Sequence, residues 1–110
     1  MKKIEAIIRP EKFEAVKAAL EGAGYTDLLV TEIQNHGKAA SVSQIWRGGE
    51  YQMAPTMLKI ELVLPNQEKA LKMAREVLMT AASGRAGDGK VFMYDIAEAF
   101  PIAGKEKIAV

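Results

Sequence analysis

Between Gly84 and Lys90 the chain reads Gly-Arg-Ala-Gly-Asp-Gly-Lys. Glycine and lysine at this spacing suit phosphate chemistry. Successive backbone N–H groups in a glycine-rich turn form an anion nest, and a lysine adds a mobile positive charge. The segment also matches the first seven positions of the nucleotide-binding P-loop pattern. Its context is different. A P-loop runs from strand through loop to helix and continues with Ser or Thr, which holds magnesium. Here a helical pattern precedes the loop, a strand pattern follows it, and Val91 stands after Lys90. The segment therefore reads either as a phosphate-cradling turn or as a plain helix-to-strand turn.

A second group lies further upstream. Arg47-Gly48-Gly49-Glu50-Tyr51 sits in a stretch from about Asn35 to Thr56 that lacks a clear period. An aperiodic connection of that length in a compact domain is usually functional or disordered. As a recognition finger it would present Arg47 as a planar multi-donor probe and Tyr51 as a modifiable hydroxyl, with Trp46 beside them. Met53 adds a soft apolar contact. As a solvated loop it would simply carry a few charges, with Trp46 tucked onto the body. The sole histidine, His36, has no cysteine or second histidine to complete a transition-metal site. Ser41 and Ser43 lie near it, but nothing supplies the scaffold of a hydrolytic triad.

These residues need elements to position them. Lys3 to Pro10 reads as an Ile-rich strand stopped by proline. Pro10 suits the first turn of a helix, whose apolar face is Phe13, Val16, Leu20 and Ala23, and Gly24 ends it. Leu28 to Ile33 is a second strand. Met57 to Leu64 alternates, with Leu58, Ile60, Leu62 and Leu64 on one side and Lys59 and Glu61 on the other. After Pro65, Asn66 is placed to cap a helix with a stripe of Ala70, Leu71, Ala74, Val77, Leu78 and Ala81, closed by Gly84. Lys90 to Ala97 forms the last strand.

The pattern repeats internally. Lys3-Ile4-Glu5, an apolar run and a proline recur as Lys59-Ile60-Glu61, Leu62-Val63-Leu64 and Pro65, each followed by a helix and a strand. The order β-α-β, long connection, β-α-β predicts an α+β, ferredoxin-like sandwich: a four-stranded antiparallel sheet with both helices on one face. Ile7 and Val63 would leave the other face partly apolar, which favours self-association.

Composition sets the remaining bounds. The 110 residues suit one domain, and the net charge of +1 gives no bulk attraction to nucleic acid or anionic membrane. No basic and aromatic cluster marks a nucleic-acid surface. The absence of cysteine excludes disulfides and thiol chemistry and fits a reducing cytoplasm. Glu5 and Arg9 interrupt the opening apolar run, so it does not read as a signal peptide, and no run reaches a membrane span.

Taken together, the opening Met1 to Pro10, Val30-Thr31-Glu32, Arg47 to Tyr51, Lys59-Ile60-Glu61, Gly84, and Gly87-Asp88-Gly89-Lys90-Val91-Phe92 resemble PII signal-transduction proteins nearly end to end. The resemblance implies a homotrimer whose sheets form a barrel, with ATP or ADP (or AMP) bound in clefts between subunits. A T-loop, here about residues 36–56, would dock on a membrane transporter, its cytoplasmic ATPase or a metabolic enzyme, in the cytoplasm or at the inner face of the membrane. By position, Ile7, Gly37, Lys38, Glu61, Val63, Gly87, Asp88, Gly89 and Lys90 would line the nucleotide cleft. Trp46, Arg47 and Tyr51 would meet the partner, and Tyr51 matches a tyrosine that some members modify. The alternative is an enzyme, or an enzyme's regulatory domain, on the same fold. No paired carboxylates, metal cluster or supported nucleophile speaks for catalysis.

The chain departs from that pattern in three places. Where the family usually has Gly-Phe-Gly-Arg-Gln, this chain has Asn35-His36-Gly37-Lys38-Ala39. The missing glutamine typically holds magnesium and 2-oxoglutarate. A lysine usual before the third strand is replaced at Thr56-Met57, with one residue fewer in the loop. The closing Arg-x-Arg that holds phosphates is Pro101-Ile102-Ala103. Each lost charge-assisted contact is worth about 1.5–3 kcal/mol. The expected ligands are therefore adenine nucleotides without a metal and without magnesium-dependent 2-oxoglutarate sensing.

Overall fold

A computed structural model of the chain describes residues 1–25, 27–34, 36, 42–46, 49–53 and 56–102, the backbone alone for 42–46 and 49–53. Strand β1 spans Lys2–Ile8 and Pro10–Lys12 forms one 3-10 turn, with proline in the first helical position where no N–H is needed. Helix α1 follows over Phe13–Gly22 and strand β2 over Leu29–Gln34. Strands β3 (Val42–Trp46) and β4 (Gly49–Met53) pair with each other, and β5 covers Thr56–Leu64. Helix α2 spans Gln67–Ala81 and β6 spans Gly89–Asp95.

The main sheet has the order β2-β5-β1-β6, with every neighbouring pair antiparallel. That is the ferredoxin-like arrangement the repeat predicts. Both helices lie on the face carrying Ile4, Ala6, Ile8, Ile60 and Leu64, all essentially buried. Val16 and Leu20 of α1 and Ala70, Met73, Val77 and Ala81 of α2 complete the core. None of the described polar or charged residues is buried, so apolar burial at roughly 25 cal/mol per Å² provides the cohesion of this layer.

Two expectations change. The stripe read on α2 is displaced. Met73 is fully buried, whereas Leu71 and Leu78 are exposed at 37% and 55%. The helix seats along Ala70, Met73, Val77 and Ala81, spacings of three and four that leave both leucines on its flank. The aperiodic stretch before Thr56 contains a two-stranded hairpin, β3 with β4, registered Val42 to Met53 and Trp46 to Gly49. Val42, Ile45, Trp46 and Tyr51 are strand formers, and only two residues of sequence separate β3 from β4. Alternation is hidden there because serine and glutamine break it.

The two helix entries and exits differ. Asn66 caps α2, its Oδ1 accepting from Lys69 N at 2.9 Å. Helix α1 ends in a Schellman closure: Gly24 N donates to Glu21 O at 3.0 Å and Tyr25 N to Leu20 O at 2.8 Å, with Gly24 at φ 96°. The exit of α2 has no such local closure and forms the candidate site.

Candidate functional site

After Ala81 the backbone turns extended at Ala82 and enters the segment Ser83–Lys90. Gly84 and Gly87 adopt φ of 80° and 85°, a region that side chains with a Cβ enter only at a cost. Gly89 is constrained more tightly. Its φ is 121°, and a Cβ there would lie 1.8 Å from the backbone oxygen of Ile7. Only glycine lets β6 begin this close to β1.

The turn is tied together through Asp88. Its carboxylate accepts from Ser83 N at 2.8 Å, from Gly84 N at 3.2 Å and from the Ser83 hydroxyl. It also accepts from Arg9 Nε at 3.0 Å, and the same guanidinium donates to Ala86 O at 2.7 Å. The Ser83 hydroxyl and amide, then the Arg9 guanidinium, hold the Asp88 carboxyl well below the usual carboxylate range. Among the described residues, no acceptor meets the N–H groups of Ala86 and Gly87, while a tight turn over those two residues points the Asp88 N–H back toward Arg85. Lys90 has no carboxylate partner there either. Backbone amides and a lysine ammonium without partners among the described residues, on one glycine turn, suit the chemistry of an anion.

A pocket of about 90 Å³ adjoins the turn, lined by Ile7, Val77, Leu78, Gly89, Lys90 and Val91 among others. Ligand sites for drug-sized molecules hold about 300–1,000 Å³, so this pocket by itself is smaller than such a site.

The sheet face away from the helices carries a different set. Register places Lys3, Glu5, Ile7, Lys59, Glu61, Val63, Phe92 and Tyr94 on it. Glu5 stands directly opposite Glu61, a like-charge pair. Lys3 lies 3.7 Å from Glu5 and 3.6 Å from Glu61, and Lys59 lies 3.2 Å from Glu61. The hydrogen bond from Lys59 lowers the Glu61 carboxyl, and Glu61 in turn raises Lys59. Lys3 also sits 5.7 Å above the Tyr94 ring.

Of the residues the sequence singles out, Ile7, Gly87, Asp88, Gly89 and Lys90 come together at one end of the sheet. Glu61 and Val63 share the open face but pair with Glu5 and Lys3, further along β1 from Ile7. Gly37, Lys38, Ser41 and Arg47 lie outside the described residues, as do the side chains of Ser43, Trp46, Tyr51 and Met53; His36 is exposed. Among the described residues no group of three or more His, Cys, Asp or Glu side chains gathers as a metal site would. Sequence reading misses Arg9 and Ser83. Arg9 carries a signal as the one cation at the exit of the first strand, but its partner is 79 positions away.

The family model for nitrogen regulatory protein P-II matches residues 1–106. The chain belongs to the P-II family. It is 39% identical over 108 residues to the nitrogen regulatory protein P-II of Rhodospirillum rubrum and 36% identical over 108 residues to nitrogen regulatory protein P-II 1 of Escherichia coli K12; both alignments cover 97% of this chain and 96% of the relative. With nitrogen regulatory protein P-II of Pasteurella multocida it shares 37% identity over 97 residues, 87% of this chain and 86% of the relative. P-II proteins are signal-transduction regulators that act on regulatory targets, not enzymes, which sets aside the catalytic alternative. Among the described residues no helix is long and apolar enough to cross a membrane.

Proposed function

We propose that this P-II protein is a homotrimer that binds adenine nucleotides, ATP, ADP or AMP, in clefts between subunits. It uses the connection between β2 and β5 to regulate a transporter, a transporter's cytoplasmic ATPase or a metabolic enzyme in the cytoplasm. The observation that carries this reading is the turn from Gly84 to Lys90, whose Ala86 and Gly87 amides and Lys90 ammonium have no partner among the described residues, beside a pocket of about 90 Å³. The family resemblance groups Glu61 and Val63 with that turn, yet in one chain they lie further along the sheet. Two adjacent copies would supply the two halves. The open face favours such packing, since Phe92 and Tyr94 are exposed at 39% and 43% beside the half-buried Ile7 and Val63.

Phosphates would sit on the turn amides and Lys90, with Lys38 of the connection assisting. Pro101-Ile102-Ala103 offers no cation, so the outer phosphates lose most and ATP suffers more than AMP. Ala39 has no side-chain oxygen for magnesium, which demands near-octahedral oxygen coordination. On this reading no metal is recruited and 2-oxoglutarate is not sensed with ATP. Trp46, Arg47 and Tyr51 would anchor the partner, and Tyr51 would be the modifiable hydroxyl.

Light scattering and calorimetry test the proposal together. A trimer mass, with ATP and ADP binding that Lys90→Ala weakens, is expected. A monomer at micromolar protein, or unchanged affinity in Lys90→Ala, would overturn it. Binding of 2-oxoglutarate with ATP and magnesium, at an affinity near that of the nucleotide, would refute the part concerning that metabolite.

A further inference from the structure

An anion site built from backbone amides works only if its own acid and its own carbonyls are kept out of the way. The turn between α2 and β6 contains both hazards. Asp88 places a carboxylate within the segment whose amides are open, and Ala86 O lies on the same turn. A free carboxylate there would repel phosphate, or fold onto the open amides itself. Both groups are occupied instead by one residue from the other half of the chain. Arg9 gives its Nε to Asp88 at 3.0 Å and a terminal nitrogen to Ala86 O at 2.7 Å. Ser83 completes the arrangement by holding the carboxylate through its amide and its hydroxyl.

We infer that Arg9 and Ser83 are positioning residues for a polyphosphate at this turn: together they bind the Asp88 carboxylate and the Ala86 carbonyl, so that the N–H groups of Ala86 and Gly87 stay open to the anion. The inference rests on the nucleotide reading above and adds to it two residues that need not touch the ligand. Arg9 neutralises Asp88 and fixes the loop in one geometry, and two hydrogen bonds from one planar guanidinium are what that takes. Lysine has the charge but not the fork. Ser83 contributes a hydroxyl, which threonine also has and alanine lacks. Arg9 also stands between Ile8, whose backbone neighbours Gly89, and Pro10, which opens the first helical turn. The guanidinium therefore reaches the loop from a rigid base.

Calorimetry with ATP and with inorganic triphosphate, on the full chain, tests this alongside thermal melting. Wild type should bind both. Ser83→Ala, Arg9→Ala and Arg9→Lys should each weaken triphosphate by roughly tenfold or more, the order expected when a charge-assisted hydrogen bond is lost. Ser83→Thr should stay within about twofold of wild type. Full affinity in Arg9→Ala and Ser83→Ala, with wild type binding normally, would overturn the inference and leave the nucleotide reading intact. Full affinity in Arg9→Lys would also overturn it, by showing that charge alone suffices. If wild type itself binds neither ligand, the nucleotide reading fails first and the inference falls with it. Should Arg9→Ala melt too early to measure, the pair Ser83→Ala and Ser83→Thr decides the matter alone, because Ser83→Thr keeps the hydroxyl that Ser83→Ala removes.

Discussion

The two βαβ halves of this chain leave their helices in different ways. In the first half, α1 closes with backbone bonds alone: Gly24 to Glu21 and Tyr25 to Leu20, all within a few residues. In the second, α2 stops at Ala81 and the chain crosses to Gly89 through a turn held by side chains, one of them from the far end of the sequence. The first closure uses up its polar groups. The second leaves the amides of Ala86 and Gly87 without an acceptor among the described residues. The second exit is therefore the one whose donors remain available for the anion binding proposed above. The spare donors are where a ligand is to be sought.

The largest expected effect breaks that contrast at its backbone. Gly89→Ala would drive a Cβ to 1.8 Å from Ile7 O at a φ of 121°, so β6 must shift away from β1. A loss of about 3 kcal/mol or more is expected, the upper end for overpacking with added backbone strain. Gly24→Ala meets open space and carries only the cost of its positive φ, about 1–2 kcal/mol. Chemical denaturation of the two variants checks the order. Equal losses would mean that the close approach at Gly89 relaxes freely.

A smaller effect concerns the entry to α2. Asn66→Ala removes the acceptor of the Lys69 amide and should cost about 1 kcal/mol. Asn66→Asp should restore most of it, since a carboxylate accepts the same bond and suits a helix N-terminus. If urea midpoints of the Ala variant and wild type coincide, the cap contributes nothing and water serves the amide as well.

Smaller still in stability is Lys90→Ala, although its effect on binding should be large. Lys90 is exposed and without a carboxylate partner among the described residues, so stability should move within about 0.5 kcal/mol. Affinity for ATP should fall by about tenfold. Unchanged binding with lowered stability would reverse the roles assigned to the two helix exits.

Much of this architecture is legible in the sequence. The repeat of strand, proline, helix and strand predicts the antiparallel sheet, and Asn66 and Gly24 announce one helix start and one helix end by residue type. What escapes reading depends on facts a linear pattern does not hold. The choice of Met73 over Leu71 and Leu78 is set by how α2 lies on the sheet. Met57 is buried at 2% exposure yet shares a sheet face with Lys59 and Glu61, which local alternation would count as polar. The β3–β4 hairpin lacks clean alternation. For the site, glycine spacing points to the turn and groups Asp88 with it, but it does not reveal that Arg9 and Ser83 hold the Asp88 carboxylate. A glycine turn shows in sequence because backbone geometry is local. An ion pair across 79 positions does not.

The smallest effect sharpens the contrast by pH. The Asp88 carboxyl is held below the ordinary aspartate value of about 3.9 by Ser83 and Arg9. A depressed folded-state pKa means the ionised form supports the folded turn. That contribution is fully present above the unfolded value and is lost only as pH falls through the lower folded value. From neutral pH to about 4 the turn should therefore stay closed. The α1 exit, built from backbone bonds alone, should not respond to pH at all. Amide NMR reads both at once. The Ser83 and Gly84 resonances should hold from neutral pH to about 4 and move only below it, while Gly24 and Tyr25 stay fixed throughout. Asp88→Asn should abolish the acid-induced change at Ser83 and Gly84, since no titrating group remains there. If Ser83 and Gly84 shift in the ordinary carboxylate range instead, Asp88 titrates as a free side chain and the turn is not tied as described.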